Sequence, residues 1–391
     1  MPAPRPNLSH HLIPDLPSAD DILPWLRQID ANRWYTNYGP LVLEFEQQMT
    51  ALIAQANPGR DFALTTLSTG YHALEFALRA FDLAPDAQVL IPAVTFPACP
   101  LAAIHAGLIP VFADINSEHW ILTPETARRI AAKISVKAVM PVAVYGVPLP
   151  ADAWDAFTRD TGIPVIIDAA AAIELQKIPA HCLVAHSLHA TKPFGLGEGG
   201  LLIGANREQI TRARILSNFG TNDRIAHDCG SNAKMSEFHA AVGLAQIARW
   251  PGIKARRAVM LEKYRAALAR LPITLQPGIE RATASLLMAS AQSCSAGAVM
   301  AGLRTRSIAT HQTYLPPLYR HPAFAGYQAV SADGKISAPG DDHDLKAKLC
   351  PQAEIMARQV FGLPFHVFMD DADIAEVARC FKQDIFNRAV N

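Results

Sequence analysis

Between residues 88 and 205 the chain alternates short apolar runs with stretches of helical period, and this limits the fold more than any other feature. The runs are QVLIP at 88–92, IPVFADI at 109–115, KAVMPVAVYG at 137–146, IPVIIDA at 163–169, CLVAHSL at 182–188 and GLLIGA at 200–205. Most are uninterrupted by polar residues. Strands of that kind are buried on both faces, as in a mostly parallel sheet covered by helices. Upstream, Leu74, Ala77, Leu78 and Phe81 recur at i, i+3, i+4 and i+7, which predicts a helix over 70–81. A shorter helix is expected through PLAAIHAG after the 88–92 strand. The class that satisfies both periods is α/β, with helices on both sides of a mostly parallel central sheet.

With 391 residues, half of them hydrophobic, the chain is long enough for two cores. After about Trp250 the texture changes. ARRAVMLEKYRAALARL at 255–271 reads as a long amphipathic helix, followed by weaker strand and helix signals. The expected division is a large α/β domain with an N-terminal segment over 1–245 and a smaller C-terminal α+β domain over 246–391, bridged by that helix. Basic and acidic residues number 35 each, so no net field favours nucleic acid or an anionic membrane as partner. Six scattered cysteines without a CxxC pair read as reduced, mostly buried thiols, with no disulfide framework and no metal site. The uncharged stretches 87–113 and 282–303 are broken by four prolines in the first and by Ser, Thr and Gln in the second, so neither reads as a membrane span. The opening MPAPRPNLSHHLIPDLP has no apolar core of signal-peptide length, and a cytoplasmic protein is expected.

The segment SLHATKPFGLGEGG at 187–200 carries the first chemical signal. Its last six residues satisfy G-x-G-x-x-G, the pattern of a dinucleotide-binding turn. That reading requires a helix after the glycines and an acidic residue about 20 positions on. Here the glycines run into LLIGA, an apolar strand, so a tight turn with close backbone packing is the better reading. The lysine before the glycines, Lys192, is then of more interest. Asp168 ends the apolar run PVIID, at the edge where open α/β sheets place ligands. Ser187 ends the next run, Ser68-Thr69-Gly70 opens the helix whose N-terminal amides attract phosphate, and Phe96 follows the 88–92 strand. A lysine, a buried acid, phosphate donors and a flat ring are what a pyridoxal phosphate enzyme needs. Taken singly, each has a plainer reading: a solvated lysine, an aspartate at a turn or N-cap, a helix start, a core phenylalanine. Spacing alone leaves both open.

The residues resemble a family. SLHATKPFGLGEGG is similar to the lysine segment of the DegT/DnrJ-type (StrS-like) aminotransferases, fold-type I pyridoxal phosphate enzymes that aminate keto sugars, often nucleotide-linked. NYGPLVLEFE (37–46), STGYHALEFAL, VLIPAVTFPA, GLIPVFADI, PVAVYG, VIIDAAAAI and SNAKMSEFHAAVGLAQ (231–246) fall in the family's order and spacing, and YLPPLY (314–319) and GLPFH (362–366) resemble its later motifs. The resemblance implies that Lys192 carries the internal aldimine and moves the proton, and that Asp168 pairs with the pyridine nitrogen. It implies that Phe96 stacks on the ring, and that Ser187 and the amides around Gly70 and Tyr71 hold the phosphate. Asn232 would reach the phosphate of a neighbouring subunit, in a homodimer with shared active sites. L-Glutamate is the implied amino donor and a keto sugar the implied acceptor, with Tyr319 a candidate substrate contact.

Five positions depart from the family's usual pattern. Tyr71 stands for Thr, Ala171 for His or Gln, Ala143 for His, Lys234 for Arg and Tyr319 for His. These leave room for an altered acceptor. Two alternatives stay in view: a dehydratase-like enzyme working from pyridoxamine phosphate, whose relatives usually carry His at the lysine position, and a cofactor-binding scaffold with a regulatory role.

Overall fold

The structure, a computed structural model, describes residues 6–291 and 294–386. Residues 1–5 of the opening segment, and Gln292 and Ser293 of the second uncharged stretch, lie outside them. Seven strands, with the two-residue strand Ala329–Val330 added at one edge, build the large sheet: β1 (Ala63–Leu67), β2 (Gln88–Pro92), β3 (Ile109–Ala113), β4 (Val136–Val139), β5 (Ile166–Asp168), β6 (Leu183–Ser187) and β7 (Gly200–Gly204). One ladder runs β1-β7-β6-β5, a second runs from the two-residue strand Ala329–Val330 through β3 and β2 to β4. Parallel bridges Val139–Val165 and Val142–Asp168 join the two. Every pairing is parallel except those of β7, which runs antiparallel to β1 and β6. Helices pack on both sides, so β2, β5 and β6 are buried almost throughout, which is why their sequences show no polar alternation.

The expected strands are present but shorter than the apolar runs. The longest run, 137–146, breaks at Pro141: Val136–Val139 is strand, and Val144–Gly146 is a 3-10 turn in which Tyr145 has φ 52°. Past Pro141 the chain stays bonded to β5, with Ala143 N donating to Asp168 O (2.8 Å), before it turns at Tyr145.

The helix expected over 255–271 is the second half of a longer one, Glu237–Leu268, which runs without a break across positions 245 and 246. Pro251 lies inside it, where the texture of the sequence changes. Proline there removes one hydrogen bond and adds a clash, but Trp250 and Ile253 on either side are 1% and 0% exposed, and their burial holds both halves in line. The start of this helix also organises the entry segment. Glu237 is fully buried and its carboxylate accepts from the amides of Leu41 (2.8 Å) and Val42 (2.9 Å), supplying the cap that Gly39 cannot give to helix Pro40–Ala56.

A smaller antiparallel sheet follows, of strands Ile273–Leu275, Leu287–Ala291 and Val360–Leu363. Helices Ala296–Arg304 and Asp371–Cys380 cover it around a core that includes Leu287, Val299, Phe361 and Phe381. Between its strands the chain returns to the large sheet, where Ala329 and Val330 pair in parallel with Phe112 and Ala113. The same excursion carries Thr313 and Tyr314 over the C-terminal edge of β5. Among the described residues, no helix is long and apolar enough to cross a membrane.

Candidate active site

β5 and β6 are neighbouring parallel strands, so Asp168 and Ser187 emerge at the same edge of the sheet. The loop after β6 folds back on itself. Lys192 N donates to His189 O (2.9 Å), Ala190 N to Gly197 O (2.8 Å) and Leu196 N to Leu188 O (2.9 Å). This turn presents Lys192 to the edge that Asp168 ends. A cavity of about 560 Å³ opens there, lined among others by Gly70, Tyr71, Phe96, Asp168, Ser187 and Lys192. Six residues expected at a site from separate parts of the sequence therefore meet around one space.

One end of the cavity is built for an anion. Helix Gly70–Ala80 starts there, and Thr69 caps it by accepting from His72 N at 3.2 Å. The amides of Gly70 and Tyr71 have no acceptor within the helix and point outward with the positive end of its dipole. Ser187 lies against this start so closely that a Cβ on Gly70 would come within 2.7 Å of the serine Cβ. The glycine loop explains the approach. A Cβ on Gly200 would lie 2.2 Å from Thr69 O, so only glycine lets β7 pass behind the helix start. Gly195 is as tight, its Cβ falling 2.6 Å from Ala190 O, and Gly197 has φ 112°. These glycines shape the backbone around Lys192. Gly200→Ala is accordingly expected to cost about 1–3 kcal/mol and to loosen anion binding at Gly70, measurable as a lower Tm and a weaker affinity for inorganic phosphate.

The other end is acidic and deeply buried. Asp168 is 5% exposed; its Oδ1 accepts from Ala170 N at 3.0 Å and its Oδ2 from the Cys99 thiol at 3.1 Å. Burial raises its pKa, while those donors and the nearby Lys192 act against the shift. Burial lowers the pKa of Lys192, with Asp168 and Cys99 pulling it back up. The lysine is thereby moved toward the neutral, nucleophilic form. His186 supports the floor: its Nδ1 donates to Ala169 O (2.8 Å), and burial keeps the ring neutral, its pKa pushed down to about 4. Its Nε2 is buried and has no hydrogen-bond partner among the described residues.

Aromatic rings form the outer wall. Phe96 is 57% exposed at the rim, with its centroid 6.3 Å from that of Tyr314. Tyr314 stacks on Tyr145 at 4.9 Å with 6° between planes, and the Tyr145 hydroxyl donates to Thr313 O at 2.7 Å. His11 and Leu12 complete the wall from the N-terminal segment, which is tied down by Phe365 N donating to His11 O (2.9 Å) and Ala309 N to Leu8 O (2.7 Å).

The DegT/DnrJ/EryC1/StrS aminotransferase family model matches residues 18–382, nearly the whole chain. The chain belongs to this family. Protein Rv3402c of Mycobacterium tuberculosis is 29% identical over 95% of this chain and 88% of its own length. The dTDP-3-amino-3,4,6-trideoxy-alpha-D-glucose transaminase of Streptomyces venezuelae is 28% identical over 86% of this chain and 85% of its own. The crystal structure of S. venezuelae DesV in complex with a ketimine intermediate is 25% identical, with a TM-score of 0.80 over 97% of this chain and 100% of that one. Several homologues and structural neighbours carry the names of amino-sugar transaminases or of a PLP-dependent aminotransferase.

Seen within this family, the departures have definite surroundings. Tyr71 turns its hydroxyl to His105 Nδ1 at 2.5 Å and sets its ring edge-on to His72 and His105, so at this position the family's usual small hydroxyl gives way to a phenol engaged on helix Ala98–His105. Ala171 lines the cavity as a methyl group, and its carbonyl lies where a Cβ on Gly146 would come within 2.8 Å. Ala143 is buried behind the wall. Lys234 donates to Asn232 Oδ1 at 2.8 Å and covers the Phe219 ring at 4.8 Å. Asn232 is exposed and is not among the residues lining this chain's cavity.

Tyr319, expected near the substrate, lies elsewhere. It is fully buried with Leu318, Phe324 and Phe112, donates to Glu354 Oε1 at 2.7 Å, and lines no part of the cavity. A buried tyrosine needs a partner for its hydroxyl, and Glu354 supplies one inside the core. Several lining residues were not expected. Tyr145, Tyr314, His186, His11 and Leu12 read in sequence as core or loop residues, and so does Cys99, which does not line the cavity but is bonded to Asp168 behind it. Cys99 carried the best available signal, lying one turn beyond Phe96 where a helix begins at the sheet edge.

Proposed function

We propose that this protein is a pyridoxal phosphate-dependent aminotransferase that moves an amino group from L-glutamate to a keto sugar, with a nucleotide-linked hexose as the first candidate acceptor. The observation that carries the reading is the placement of Lys192 in one cavity between the buried acid Asp168 and the anion-binding start of helix Gly70–Ala80.

The donor set fits the cofactor on three grounds. The Gly70–Ser187 cradle has no room for a Cβ. The acid at the far end is buried and held by two donors. His186 Nε2 is an unpartnered buried atom on the floor. Lys192 Nζ would hold the aldehyde carbon, Asp168 the ring nitrogen, Phe96 one ring face, and Ser187 with the Gly70 and Tyr71 amides the phosphate. When bound, pyridoxal phosphate supplies an electron sink for the pair of electrons left at the substrate α-carbon.

The chain's own residues supply the rest. Lys192, which burial shifts toward its neutral form, takes the proton from the α-carbon of the donor in the first half-reaction and delivers a proton to the acceptor carbon in the second. Asp168 offers a fixed negative charge, which favours a protonated ring nitrogen beside it. The Phe96–Tyr314–Tyr145 wall gives the reacting atoms an aromatic, apolar flank. Lysine at position 192 favours amino transfer over the dehydratase-like alternative.

A homodimer completes this reading, with Asn232 directed to the phosphate of the neighbouring site. Exposed Trp34 and Leu43, which line one surface groove, and exposed Tyr35, whose ring stacks on exposed Phe238, support it, because neighbouring exposed apolar groups mark an association face. The test is a two-substrate assay. Release of 2-oxoglutarate from glutamate that depends on an added dTDP- or UDP-keto sugar, from a particle of twice 42.3 kDa by light scattering, is the expected result. Glutamate turnover that no keto sugar stimulates would refute the acceptor class, and a monomer the shared site.

A further inference from the structure

Asp168 depends on a residue that is neither in its own strand nor in the lysine loop. Cys99 is fully buried at the start of helix Ala98–His105. Its Sγ lies 3.1 Å from Asp168 Oδ2 and 3.3 Å from the Thr95 hydroxyl, itself 1% exposed. With the thiol proton directed to the carboxylate, the threonine hydroxyl donates to the sulfur, and the three groups form a chain Thr95 to Cys99 to Asp168. The other carboxylate oxygen is served by Ala170 N, two residues along the same turn. One donor is therefore fixed by the backbone and the other by a side chain.

The remaining groups facing Asp168 are Lys192 and Tyr314. Lys192 is a positive neighbour only until it serves the reaction, and a phenol carries no positive charge. A buried carboxylate that loses a donor tends to take up a proton, and a neutral acid pairs poorly with a cationic ring nitrogen. A thiol is a weak donor. It can hold the carboxylate in place while leaving most of its charge for a stronger partner.

Resting on the pyridoxal phosphate reading above, we propose that Cys99, backed by Thr95, is a positioning residue that keeps Asp168 ionised and aimed at the ring nitrogen of the cofactor. Cys99 also packs among Val89, Ile91, Ala102 and Ala103. A packing role would be indifferent to the chemistry of the cofactor ring, and this difference is what an experiment can read.

Apo protein is titrated with pyridoxal phosphate and with the analogue that has carbon in place of the ring nitrogen, following the visible absorption of each. Cys99→Ala is expected to weaken pyridoxal phosphate about tenfold, as for loss of a hydrogen bond to a charged group. The carbon analogue, with no ring nitrogen to pair, should lose less than about twofold. Cys99→Ser restores a donor and is expected to bind both ligands as the wild type does. Thr95→Val, which leaves the cysteine in place, weakens pyridoxal phosphate selectively but less, and tests the chain even if Cys99→Ala folds poorly. Equal losses for the two ligands, or unchanged pyridoxal phosphate affinity in Cys99→Ala and Thr95→Val, would overturn the proposal alone. Failure of the wild type to bind pyridoxal phosphate would overturn the cofactor reading and this one with it.

Discussion

Lys192→Ala is expected to lower amino-transfer turnover about 10²–10⁴-fold, the usual worth of a positioned acid–base group, and to remove the visible band that forms when pyridoxal phosphate is added. The side chain acts twice in the proposed reaction, as the amine that holds the cofactor and as the base that moves the α-proton. Among the described residues, no other lysine lines the cavity. Lys192→Arg keeps the positive charge but cannot give up a proton at working pH, so it should fail to the same extent. A variant that failed only because it lost a charge would be rescued by arginine. The same nitrogen governs pH dependence. Only neutral amine attacks the aldehyde, and burial lowers Lys192 below the ordinary lysine value of 10.5. The rate of band formation in the wild type should therefore rise with pH and level off below that value.

Asp168→Asn separates stability from function. Turnover is expected to fall about 10²–10³-fold, the range for loss of one preorganised electrostatic group, while the apo protein keeps its Tm or gains a little. The sign follows from burial. The folded chain raises the pKa of Asp168, so it holds a proton more tightly there than the unfolded chain does. The ionised carboxylate therefore disfavours folding above its folded pKa, and this cost is relieved as pH falls through that value. Asparagine removes the charge and retains an oxygen for Ala170 N or Cys99. An apo Tm that drops sharply in Asp168→Asn would mean that the acid is chiefly a structural tether.

The site was readable in sequence wherever local rules apply, and hidden wherever contacts join distant positions. Asp168 ends an unbroken apolar run and Ser187 a run interrupted only by His186, so their places at strand ends put them at one edge. Lys192 sits before glycines whose spacing first suggests a dinucleotide loop, and only the strand after them argues otherwise. Cys99 was invisible as a partner of Asp168, because the two lie 69 positions apart and a cysteine among alanines reads as core. The stack of Tyr145 on Tyr314 joins an α/β crossover to an excursion from the smaller sheet, and nothing local in either segment announces it. The change of texture after about Trp250 shows the opposite failure. Its local signal is strong, but the burial of Trp250 and Ile253 overrides it and the helix continues. Tyr319 misled for a related reason: a motif marks a place in the chain, and its side chain turns to Glu354 in the core.

The most direct test is the visible absorption spectrum of the purified protein with pyridoxal phosphate, recorded before and after L-glutamate, with Lys192→Ala alongside. An absorption band that depends on Lys192 and is converted by glutamate to the spectrum of pyridoxamine phosphate is the predicted result. A band that forms but is unmoved by glutamate and by every other amino donor would contradict amino transfer and leave a cofactor-binding scaffold. A wild type that gives no band would contradict the role assigned to Lys192.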